Sequence, residues 1–133
     1  MKTIKVLVIE PMTKPYVKEI EDTLEAKQAL VGGLIEPIYF FDDVIIVANE
    51  EAKLISRNPA NFIIENEAGE IVDTIYGPAF LCCDGEEDFT SITDELVKKY
   101  ESKFKRIRGM LGFSTFIVIP DEYLLKKEDN KNV

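Results

Sequence analysis

The sequence contains no histidine. That single absence removes Ser-His-Asp and Cys-His nucleophilic catalysis and the ordinary zinc site. Cysteine occurs only as the neighbours Cys82 and Cys83, whose Cα atoms lie too close for normal disulfide geometry, and which would point to opposite faces of a strand. A reduced, cytoplasmic setting is expected, the host cytoplasm if the chain is phage-encoded. Long hydrophobic runs are missing from the start of the chain, where Val6 to Ile9 is followed at once by Glu10 and Pro11. This is too short for a signal-peptide core or a membrane span, so no membrane partner is expected. Neither a G-x-G-x-x-G nor a phosphate-loop lysine motif occurs, and no cofactor is expected. Asp42-Asp43, Glu50-Glu51 and Glu86-Glu87-Asp88 read as turn and loop acids, and Asp84-Gly85 departs from the calcium-loop pattern, so neither a metal site nor an enzyme is expected.

What is present is an ordinary globular balance: 133 residues, 46% apolar and 31% charged. This predicts one domain over residues 1–125 and a loose tail over 126–133. The net charge of −9 repels phosphate backbones and anionic lipid, which disfavours general nucleic-acid binding. The charge is uneven, because Lys103, Lys105, Arg106 and Arg108 fall together without an acid between them. They read either as the solvated C-terminal end of a helix or as an anion-binding patch.

Hydropathy patterning predicts an α+β fold, with a mixed or mostly antiparallel sheet built from hairpins and one short and one longer helix packed on it. Residues 3–9 read as a buried strand returning through an edge-like strand at 16–20. Asp22 or Thr23 offers an N-cap for a short helix through Val31, with Glu25 placed for a capping box and Gly32-Gly33 as the stop. Residues 34–41 and 44–48 read as a hairpin whose first strand, carrying Pro37, lies at an edge. A further hairpin is expected between 70–77 and 79–83. The longer helix is expected from a Ser91 cap, with Ile92, Leu96, Val97, Tyr100, Phe104 and Ile107 on one face and Gly109 ending it. Residues 113–119 would close the sheet.

The stretch from Asn49 to Asn61 is the most open to function. Its asparagines suit turns and local backbone bonds. In a functional reading Asn49, Lys53, Arg57 and Asn61 converge beside apolar strand ends to hold a polar, anionic or nucleobase-bearing ligand, with Arg106 and Arg108 completing a cradle. Gly109-Met-Leu-Gly112 has the G-x-x-G form of some RNA-binding loops, but two glycines more simply end one element and begin the next.

The segments KVLVIEP, EIEDTLEAKQALVGGLIE, FDDVIIVANEEAKL, NPAN, DTIYGPAFL and DGEEDFTSITDE resemble a domain family of unknown function carried by low-GC Gram-positive bacteria, their phages and conjugative elements. Val-Gly-Gly-x-Ile-Glu and Asn-Glu-Glu are the most specific motifs. The chain departs from the family pattern at Ala52, where Gly is usual, and at Phe62, where Arg is common. The resemblance implies no activity; by analogy it implies an accessory or counter-defence factor acting by stoichiometric binding. The expected partner is a small anionic ligand such as a nucleotide immune signal. The alternative is an acidic interaction module that covers a host defence or nucleic-acid-binding protein. Exposed strand edges also predict pairing into a homodimer.

Overall fold

The computed structural model describes residues 2–11, 14–39, 44–51, 60–66, 68–85, 88–103, 105–109 and 112–118. The chain runs β1 (Thr3–Ile9), β2 (Tyr16–Glu21), α1 (Leu24–Val31), β3 (Ile35–Tyr39), β4 (Val44–Asn49), β5 (Ala60–Glu65), β6 (Ile71–Tyr76), β7 (Ala79–Asp84), β8 (Phe89–Thr90), α2 (Asp94–Lys103), β9 (Lys105–Gly109) and β10 (Gly112–Val118). The expected α+β class is what forms.

Two sheets form where one was expected. The first has the order β2-β1-β7-β4-β3, with β8 beside β7, and the second the order β6-β5-β10-β9. Every pair is antiparallel except β5 with β10. The central strands of the first sheet carry continuous apolar runs because both faces are covered. Ile4, Val6, Val8, Ile45, Val47, Phe80 and Cys82 pack with Val31 of α1 on one face. Leu7, Ile9, Ile46, Leu81 and Cys83 pack on the other against Phe62, Ile64 and Ile75 of the second sheet and Val97 and Tyr100 of α2. Each fully buried Val, Leu or Ile contributes about 1.5–3 kcal/mol.

The hairpins β1–β2 and β3–β4 form as the patterning predicts. Four expectations are corrected. First, β6 and β7 do not pair with each other: β6 joins β5 in the second sheet, whereas β7 is inserted between β1 and β4. Second, β10 closes no single sheet but lies parallel to β5, a strand that periodicity missed. Third, α2 ends at Lys103, and residues 105–109 form β9, paired with β10 from Lys105↔Phe116 to Gly109↔Gly112. The helical spacing of Ile107 is overridden because the hairpin with β10 supplies ladder hydrogen bonds to the backbone. Fourth, Ser91 does not cap α2: its Oγ accepts the Lys5 N–H of β1 at 2.9 Å, and Thr93 Oγ1 accepts from Leu96 N at 3.2 Å instead. Residues 126–133, the Asp42-Asp43 turn and Phe104 lie outside the described residues.

At the start of α1, Thr23 is the cap, its Oγ1 accepting from Ala26 N at 3.1 Å. Asp22 instead accepts from Lys27 Nζ at 2.9 Å in a buried pair, with Lys27 only 4% exposed and its ammonium over the Phe89 ring. The hydrogen bond from Lys27 holds the Asp22 carboxyl below the usual carboxylate range, against the opposing effect of burial.

Candidate functional site

The two most specific sequence motifs meet at one corner of the first sheet. Helix α1 ends at Gly32, whose φ of 84° requires glycine, and the N–H groups of Gly32 and Gly33 both donate to Gln28 O, at 2.8 and 3.0 Å. Gly33 leaves space for the side chain of Asn49, the last residue of β4; a Cβ on Gly33 would lie 2.9 Å from Asn49 Nδ2. In that space Asn49 Nδ2 donates to Val31 O at 3.3 Å, capping a helix-terminal carbonyl, while Asn49 Oδ1 accepts from Glu51 N at 2.9 Å. Glu50 N donates to Leu34 O at 2.8 Å and extends the β3–β4 ladder by one pair. The Val-Gly-Gly and Asn-Glu-Glu segments are thus one construction, with Asn49 as its joint.

Asn61 makes a second joint. Its Nδ2 donates to both Ile9 O and Gly77 O at 2.8 Å, tying β5 to the end of β1 and to the corner between β6 and β7. Both amides are buried, 8% exposed for Asn49 and 7% for Asn61. The segment joining the two sheets therefore leaves from one buried amide and returns at another. Lys53 and Arg57 belong to that segment and lie outside the described residues. Arg106 and Arg108 occupy β9, separated from β5 by β10. Of the six candidate contact residues, the structure thus sets Asn49 and Asn61 at the two ends of the crossover and Arg106 and Arg108 on the edge strand β9, where Arg106 lies level with Phe62 across Thr115 of β10.

A cavity of about 80 Å³ opens beside Asn49, where β3 and β4 meet β6. It is lined by Glu36, Ala48, Asn49, Glu50, Asp73, Thr74, Ile75 and Tyr76. Small-molecule sites usually span about 300–1,000 Å³, so this volume suits a single small group. Its three carboxylates favour a donor-rich group and disfavour an anion. Sequence reading missed Glu36, Asp73, Thr74 and Tyr76 because the approach of β6 to β4 joins different sheets and leaves no local pattern. Among the described residues no group of three His, Cys, Asp or Glu side chains is placed to hold a metal. Both cysteines are free and buried; burial pushes the Cys82 thiol up to about 12, which keeps it protonated and unreactive at neutral pH. The remaining ion pair of note, Lys5 with Asp94, fastens the first turn of α2 to β1 and lowers the Asp94 carboxyl through its hydrogen bond.

The joint at Gly33 and Asn49 lies within a recognised sequence family. The chain belongs to the family described as Domain of unknown function (DUF3846), which matches residues 4–105. No curated protein and no solved structure matches the chain. Both amide joints and the cavity lie inside the DUF3846 match, which ends at the first residue of β9. Arg106, Arg108 and the whole of β10 fall beyond it. The second sheet is therefore completed by strands outside the DUF3846 segment.

Proposed function

We propose that this chain is a non-enzymatic binding protein of phage or mobile-element origin, acting in the cytoplasm by sequestering a small anionic ligand such as a nucleotide immune signal. The observation that carries the reading is the mooring of the crossover at both ends by buried amides, Asn49 to Val31 O and Asn61 to Ile9 O and Gly77 O. Lys53 and Arg57 lie between these two anchors in the sequence and supply the cations for an anionic ligand. Ligand phosphate belongs on Lys53 and Arg57, and the acceptor-rich cavity beside Asn49 suits an amino or hydroxyl group of the same ligand. Asn49 and Asn61 then serve by positioning the crossover.

Thermal unfolding against a panel of cyclic and ADP-ribose-type nucleotides tests the reading, since a ligand at about 100 times its Kd stabilises the native state by about 2.7 kcal/mol. A flat response with protein verified as ligand-free overturns it. Arg57→Ala should leave folding intact and weaken binding by about 1.5–3 kcal/mol, with Arg57→Lys recovering only part. Unchanged affinity in Arg57→Ala removes Arg57 from the site.

The rival reading, an acidic module that blocks a host defence or nucleic-acid-binding protein, is favoured by the carboxylates Glu36, Glu50 and Asp73 around the cavity and by exposed Asp88, Asp94 and Glu95. Its association should slow steeply with ionic strength. A host-lysate pull-down at low salt that returns no protein partner counts against it.

A further inference from the structure

We propose that a second copy of this chain docks edge to edge, with β2 of one copy laid antiparallel against β9 of the other. The contact joins two strand edges and requires no ligand.

Among the described residues four strands end a sheet: β2 and β3 in the first, β6 and β9 in the second. Two of these ends are poor templates. The Glu50 N–H to Leu34 O bond turns the backbone of residues 34, 36 and 38 towards β4, so Pro37 falls at an outward position, where it has no N–H to offer an incoming strand. The pairing of β6 with β5 is broken by register shifts at Ala60/Phe62 and Ile64/Glu65, irregularities that twist an edge away from a new partner. Strands β2 and β9 contain no proline, and their register with their neighbours is unbroken.

Backbone alternation then determines which residues of each edge face outward. Asp22 N donates to Lys2 O at 3.0 Å, so even-numbered positions of β2 bond to β1 and residues 17, 19 and 21 turn their N–H and C=O groups to the open side. Gly109 and Gly112 are partners with two residues between them, the hydrogen-bonded closing pair of a two-residue hairpin, so residues 106 and 108 turn outward on β9. An antiparallel ladder must match outward residues with outward residues. Setting Glu19 opposite Arg108 meets that condition and brings Glu21 opposite Arg106, Ile20 opposite Ile107 and Lys18 opposite Gly109. Unlike charges and the two isoleucines are paired throughout, and Lys18 meets a residue with no side chain.

Other pairings are worse. Matching β2 with its own copy by the same rule centres the ladder on a single residue: centring on Lys18, Glu19 or Ile20 sets Lys18 against Lys18, Glu19 against Glu19 or Glu19 against Glu21; β9 with β9 brings arginines together. Sliding β2 along β9 by one residue breaks the hydrogen-bond match, and sliding by two loses one of the two ion pairs. Glu19 and Glu21 are exposed and make no ion pair among the described residues, while Lys5, across from Glu19 on β1, is engaged by Asp94. Because the chain carries −9 overall, two copies repel at long range, and the basic β9 is a place where an acidic edge of the other copy gains by approach. Each copy offers both edges, so the contact is heterologous and association runs past two copies unless the rotation closes.

Sedimentation of the full chain tests this with two charge-reversed proteins, Glu19→Lys/Glu21→Lys and Arg106→Glu/Arg108→Glu. Wild type should rise with concentration from 15.1 kDa to twice that mass or more. Each reversed protein alone should associate about a hundredfold more weakly, and an equimolar mixture should regain association because each variant's β2 then meets an opposite charge on the other's β9. The neutral pairs Glu19→Gln/Glu21→Gln and Arg106→Gln/Arg108→Gln, with circular dichroism on every protein, provide intermediate weakening if a reversed protein does not fold. A wild type that stays at 15.1 kDa at every concentration, or association that charge reversal leaves unchanged, overturns the proposal. So does a mixture of folded reversed proteins that remains monomeric.

Discussion

The two sheets differ in how their faces are covered. In the first, β1–β2 and β3–β4 are hairpins between neighbours in sequence, β7 joins them at the centre with Leu81 opposite Leu7, and α1 packs Val31 over residues of β1, β4 and β7. In the second, the hairpins β5–β6 and β9–β10 meet where β5 lies beside β10, with Phe62 opposite Thr115. The first sheet buries both faces of its central strands, and the second contributes Phe62, Ile64 and Ile75 to cover one of them. The difference teaches that the sheet buried on both faces is the platform and the other sheet is its cover. The amide joints hold the two together: Asn49 belongs to the local corner, and Asn61 bolts the second sheet to β1 and the β6–β7 corner.

The largest expected effect comes from removing the contact between the halves. Phe62→Ala should cost about 3–5 kcal/mol, because Phe62 is 1% exposed and sits in the shared core. Native-state hydrogen exchange should show β5, β6 and β10 opening before β1, β4 and β7; uniform opening would mean that the sheets form one cooperative unit.

Asn61→Ala follows, at about 2–3 kcal/mol by denaturant unfolding, because it strips the side-chain donor from two carbonyls at a buried joint. Asn61→Asp should not rescue it, since a carboxylate accepts and cannot donate to either carbonyl. An asparagine that merely filled space would show a smaller loss and tolerate Asp.

Gly33→Ala tests the local corner alone and should cost about 1–2 kcal/mol, because the new methyl would press on the buried Asn49 amide at 2.9 Å. The double change Gly33→Ala with Asn49→Ala should then cost less than the sum of the single changes, a coupling that double-mutant cycles measure. Strict additivity would separate the two motifs.

The subtlest effect is a titration. The Asp22 carboxyl is lowered in the folded chain by Lys27, so its contribution is fully present above the unfolded value of about 3.9 and fades as pH falls through the folded value. Asp22→Asn should flatten the acid limb of a stability-versus-pH curve, and an unchanged limb would assign acid sensitivity to other carboxylates.

Periodicity, caps and turn residues were enough to read the two hairpins of the first sheet and the helix between them, but not the insertion of β7 between β1 and β4. Thr3–Ile9, Tyr16–Glu21 and the two strands around Asp42-Asp43 carry their pairing in adjacent sequence, and Gly32-Gly33 stops α1 where the pattern says. Cys82 and Cys83 face different cores, as alternation on a strand requires. The motifs at Val31–Gly33 and Asn49–Glu51 were visible as letters, but that an amide of one sits over a glycine of the other is a distance, and a distance needs the fold. Residues 105–109 carry a helical spacing and become a strand because β10 is there to pair with them. The acceptor-lined cavity has no signal in the sequence, since Glu36 and Asp73 come from different sheets. What the sequence by itself determined was the α+β class, the local hairpins and helix ends, and the absence of histidine-dependent chemistry, because these follow from side-chain identity and backbone preference within a few residues. Tertiary structure alone decided the second sheet, the exchange of partners between β6 and β7, and the roles of Asn49 and Asn61, because each depends on which distant backbone groups need a hydrogen-bond partner once the core has closed.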